Sequence, residues 1–92
     1  MNEVVATVVA VDPMDAGART GVSLLTQAGR TLYLYVDNGR SAILDATMKG
    51  ALAHGDALRI GFETEDMRLG APQGRIVSAS VIGYQVEIGY AA

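Results

Sequence analysis

One change of hydrophobic period sets the fold class of this chain. From Val4 to Val36 the apolar residues recur at strand spacing. After Asp37-Asn38-Gly39 the period lengthens to about 3.6, and from Ala57 onward it returns to two. A single helix inside a run of short strands is the pattern of a mainly β domain of α+β or barrel type, because each two-periodic segment must bury one face against another. The chain is 92 residues long and half of it is hydrophobic. That suffices for one modest core, and we read residues 1–92 as a single domain.

The first segment, Val4–Val11, is apolar on both parities, as expected of a strand buried on both faces or curling through a barrel. Asp12-Pro13 is expected to end it, since proline donates nothing to a ladder. Met14–Gly21 reads as a loop. Val22–Thr26 and Thr31–Val36 form a hairpin through the glycine-bearing link Gln27-Ala28-Gly29-Arg30. Within the second of these, Leu32, Leu34 and Val36 share one face, and Tyr33 and Tyr35 share the other.

Ser41–His54 is the helical stretch. Leu44, Met48, Ala51 and Leu52 form its apolar stripe with Ile43 beside it, Ser41 is the N-cap, and Gly55 closes the far end. Ala57–Glu63 follows as a strand with Leu58, Ile60 and Phe62 inward, and Thr64–Gly74 reads as a polar loop. The last strand starts at Arg75. Its apolar parity is Val77, Ala79 and Val81, and beyond Gly83 it shifts to Tyr84, Val86, Ile88 and Tyr90. A one-residue shift of parity turns the apolar set to the other face, so a bulge or bend is expected near Gly83.

The order is three strands, a helix, then two strands. On Val4–Val11, Val22–Thr26, Thr31–Val36, Ser41–His54, Ala57–Glu63 and Arg75–Gly83 it resembles the OB-fold, a small Greek-key barrel with a helix between its third and fourth strands. The expectation is therefore a barrel of five to six strands with one short helix between strands three and four. An SH3-like barrel or an open α+β sheet fits the same order of elements. The OB resemblance implies a ligand face on strands two and three and the loops beside them, which would gather Tyr33, Tyr35, Arg19, Arg68 and Arg75, with Arg30 as a sixth residue at the tip of the hairpin. Two tyrosines at i and i+2 could stack successive bases of a single strand, with arginines on the phosphates. The leading reading of the same two residues is packing across neighbouring strands or against a protein.

The chemistry that remains narrows the function classes. The chain has no cysteine, which excludes disulfides, thiol nucleophiles and thiolate metal sites. Its single histidine, His54, has no partner at a defined spacing, and the glycines form no phosphate loop. We expect no catalytic residues, no cofactor and no metal. Ten acidic residues against seven basic ones give a net charge of −3, which opposes general attraction to a polyanion. The acidic start Met1-Asn2-Glu3 is unlike a signal peptide, and there is no run of roughly 18 apolar residues, so a cytoplasmic protein off the membrane is expected.

The segment Tyr84, Val86, Ile88 and Tyr90 is the other candidate surface. As a surplus apolar edge it would pair with a second copy or a protein partner. The leading expectation is a non-enzymatic interaction module that self-associates or binds a protein. The alternative is a binder of single-stranded nucleic acid or a nucleotide.

Overall fold

The computed structural model describes residues 1–65 and 68–82. Five strands close into a mixed barrel in the order β1-β2-β3-β5-β4. They are β1 (Asn2–Met14), β2 (Arg19–Thr26), β3 (Thr31–Asp37), β4 (Ala57–Thr64) and β5 (Gly74–Val81), with one helix, α1 (Ala42–His54), between β3 and β4. The mainly β class, the closed barrel and the place of the helix agree with the expectation from the sequence. Every ladder is antiparallel except that between β3 and β5.

β1 is the longest strand and serves two walls. Asn2–Thr7 pair with β4, and Ala6–Met14 pair with β2. Its apolar residues occupy both parities because the register with β2 shifts between Val8 and Ala10. Ala6 and Val8 enter the core ahead of the shift, Val9 is exposed, and Val11 packs against the core after it. One extra residue thus exchanges the inward parity from even to odd.

Asp12-Pro13 does not end the strand, contrary to expectation. Pro13 stands opposite Thr20 of β2, and by that point β4 has already parted from β1. With no ladder on the second side, a residue lacking an amide hydrogen is tolerated. The expected loop Met14–Gly21 shrinks to a tight turn at Asp15–Gly17, and β2 begins at Arg19.

A second register shift separates β4 from β5. Gly61 faces Ser78 while Phe62 faces Ile76, which leaves Val77 unmatched. Ile76 is consequently buried and Ala79 packs against the core, although they differ in parity, whereas Val77 is only half-buried. The expected apolar set Val77, Ala79 and Val81 is therefore corrected to Ile76 and Ala79. The bend expected at Gly83 lies outside the described residues.

α1 forms as its sequence prescribes. Ser41 Oγ accepts from the Leu44 amide at 3.1 Å, and Gly55, at φ 74°, donates its amide to Ala51 O. The helix packs against β1 and β5. Met48 and Ala51 are buried and Leu44 packs behind them, while Leu52 and Ile43 face outward, so the inward stripe is narrower than expected. Leu24, Leu34, Leu58 and Ile60 complete the core with the valines of β1, β2 and β3. No helix among the described residues is long and apolar enough to cross a membrane.

Candidate functional site

The hairpin register places Tyr35 opposite Gly21 and Tyr33 opposite Ser23, on the outer face of β2 and β3. With no side chain at Gly21, the Tyr33 ring lies across that position. A Cβ there would stand 2.6 Å from the Tyr33 hydroxyl and 3.1 Å from Cε1. The hydroxyl reaches the Met14 sulfur of β1 at 3.7 Å. The ring is laid along the sheet and does not stand clear of it.

Tyr35 is more enclosed. The Arg19 guanidinium lies over its ring, 4.7 Å from the centroid, an arrangement in which the cation is drawn to the π face. The phenol donates to the Glu65 carboxylate, whose two oxygens both lie at 2.9 Å. Only 7% of Tyr35 remains exposed, so the ring offers almost no free face for stacking in this arrangement. Burial, and then the adjoining Glu65 carboxylate, raise the phenol above its ordinary ionisation range. Arg19 in turn is held by Asp15 from the preceding turn. That hydrogen bond leads the causes that raise the guanidinium's pKa.

The connection between β4 and β5 folds down beside this face. Gln73 fastens it to β3 from both sides: its amide donates to Tyr33 O at 2.7 Å, and its side-chain oxygen accepts from the Tyr33 amide at 3.1 Å. This brings Arg68 to the same region as Arg19 and Tyr35, at the rim of a cleft of about 620 Å³ that includes Met14, Glu65 and Pro72. A neighbouring depression of about 450 Å³ shares Arg68 and is bordered by Tyr33, Leu69 and Gln73. Arg75, on β5, stands beside Tyr35 in the parallel ladder and pairs with Glu63 at 2.9 Å and more loosely with Glu65 at 3.9 Å.

Five of the six face residues suggested by the sequence are thus brought together: Tyr33, Tyr35, Arg19, Arg68 and Arg75. Arg30 is not among them. It sits at the hairpin tip beside a different depression, formed with Glu3, Val5 and Gln27. Tyr84, Val86, Ile88 and Tyr90 lie outside the described residues.

Sequence reasoning missed the partners that complete the face. Glu65 reads as a solvated loop acid, yet it receives the Tyr35 phenol. The role of Gly21 was not legible either: a link of residues 27–30 sets Thr26 opposite Thr31 and Gly21 opposite Val36, whereas the observed register pairs Leu25 with Thr31 and Gly21 with Tyr35, and the ring over Gly21 is the diagonal Tyr33. Gln73 and Met14 carried no signal, because neither belongs to a spacing pattern.

A polar cluster at the foot of α1 was also not anticipated. Buried Thr20 donates to Asp45 Oδ1 at 2.6 Å and accepts from Asn38 Nδ2 at 3.0 Å, and Lys49 pairs with Asp45 at 2.8 Å. The Lys49 and Thr20 hydrogen bonds hold the Asp45 carboxyl below its ordinary range. Its work is to bind helix to barrel. No family model, no curated protein and no solved structure matches the chain.

Proposed function

We propose that this protein is a non-enzymatic interaction module of OB-like architecture that self-associates or binds a protein through its exposed strand surfaces. The OB-like reading is supported by the strand order β1-β2-β3-β5-β4, the parallel contact of β3 with β5, and the helix between β3 and β4. The observation that carries the function is the edge of β5. Its ladder with β3 is a single pair, Tyr35 with Arg75, and from Ile76 to Val81 that side of the strand has no ladder partner among the described residues. A row of unpaired backbone groups flanked by apolar side chains is a template for another strand.

Charge on the tyrosine face favours a protein partner over a polyanion. Arg19 is matched by Asp15, Arg75 by Glu63 and Glu65, and the Tyr35 phenol faces a carboxylate. Size-exclusion chromatography with light scattering tests the self-associating form. We expect twice the chain mass at tens of micromolar, and a strict monomer there rejects it.

A second reading, a single-stranded nucleic-acid or nucleotide binder, draws support from the joined clefts where Arg19 and Arg68 flank Tyr33 and Tyr35. It requires binding of a fluorescent oligonucleotide that weakens as salt rises, and a loss of about 1–3 kcal/mol on Tyr33→Ala. Absence of binding at low salt removes this reading.

A further inference from the structure

Beside the open edge of β5 runs a groove of about 420 Å³, with Arg40 of the turn before α1 and Ile43 and Leu44 of its first turn on one side and Val77 and Ala79 of the strand on the other. Ile43, beside that edge, is 78% exposed, and Val81, the last residue of β5, is 47% exposed, although both are large and apolar. We propose that this groove is a strand acceptor and that its occupant is residues 84–90 of a second copy of the chain, donated reciprocally. The proposal rests on the self-associating reading above and specifies the contact that produces it.

Three observations select that occupant. The first is pattern. Tyr84, Val86, Ile88 and Tyr90 alternate with Gln85, Glu87 and Gly89, so an added strand would present one apolar face toward Ile43, Leu44 and Ala79 and one polar face to water. The second is length. Seven extended residues span about 23 Å, and the open edge from Ile76 to Val81 spans roughly 20 Å. The third is charge. Glu87 is the only charged residue of the segment, and the groove is lined by two arginines and one carboxylate: Arg75 is engaged by Glu63 and Glu65, while Arg40 is well exposed and held only loosely, 3.6 Å from Asp37.

Turn chemistry favours a second copy over the same chain. The Ile82 amide still donates to Ala57 O, so the backbone continues beside β4 as far as Ile82. Return to its own edge would require Ile82-Gly83 to form the two-residue turn before Tyr84. The turns that suit strand twist need a positive φ at the first of those two residues, a conformation that a β-branched side chain resists. In trans no such turn is needed. Reciprocal donation uses the same two surfaces on each copy and closes as a two-fold dimer.

The test uses the intact chain. Light scattering at tens of micromolar is expected to give a dimer for the native sequence. It should give a monomer with unchanged far-ultraviolet circular dichroism for Val86→Lys with Ile88→Lys, and equally for Ile43→Lys on the acceptor side. The Ile43 variant changes an exposed position and guards against misfolding of the first. If either folded variant stays dimeric, the proposal fails and the self-associating reading survives; if the native chain is monomeric, both fail. Isotope-filtered NMR on a mixed-label sample should place contacts between residues 84–90 and 77–81 in different chains. The same contacts within one chain would overturn the proposal.

Discussion

Gly21 decides how the outer face of β2 and β3 is arranged. Its missing side chain lets Tyr33 lie across the sheet as far as Met14, and the stiff ring has little freedom to retreat. Gly21→Ala should lift Tyr33 off the strand and destabilise the fold by about 1–3 kcal/mol, the usual range for forcing extra volume into a packed site. Thermal unfolding measures the stability change, and the Tyr33 ring resonances report the displacement. Tyr35 is a different case, since its cover is made of charge. In Tyr35→Phe the ring beneath Arg19 is kept and the hydrogen bond to Glu65 is lost, so the expected effect is smaller, about 0.5–1.5 kcal/mol.

At the scale of elements, the helix is secured by its N-cap and by one carboxylate. Asp45 accepts from buried Thr20 and pairs with Lys49. Its pKa in the fold lies below the ordinary value near 3.9, so the stabilisation it provides is complete above that value and is lost as pH falls through the lower, folded one. The melting temperature of the native chain should therefore drop below about pH 4, and Asp45→Asn should show a shallower acid decline in the same titration. Helix boundaries, cap and C-terminal glycine were all legible beforehand, because each depends on neighbours within four residues. The strand faces were legible only in part. A period-two pattern assumes constant register, and the unmatched residues Val9 and Val77 break that constancy where β1 and β5 change neighbours. Nothing local in the sequence marks either residue as the extra one. Arg30 lies at the hairpin tip, the place expected of it from the sequence, and away from the tyrosine face.

For the molecule as a whole, stability and association are divided between two sets of apolar residues. Leu34 is fully buried at the centre of the barrel, and Leu34→Ala should cost about 2–5 kcal/mol in a single cooperative denaturant transition. Ile43 contributes little to that core. Ile43→Ala should leave the midpoint of the monomer within about 0.5 kcal/mol of native, as for other surface changes, while raising the concentration at which the dimer forms. The same division explains why a chain half hydrophobic and only 92 residues long is not surprising. Much of the surplus lies on surfaces such as Ile43, Leu69 and Val81 that the barrel does not cover.

The unmatched Val9 has a consequence for what lengths of this chain are permitted. It works like a shifted reading frame inside β1: residues before it are inward when even, residues after it when odd. Removing that one exposed side chain together with its backbone would leave Ala10 opposite Ser23 and Val11 opposite Val22, so the ladder would become regular and Val11 would keep its inward place. What such a deletion removes is the local bend that an extra residue gives the strand, and no core side chain changes face. Chains sharing this barrel should therefore vary at the ninth position in length as well as in identity.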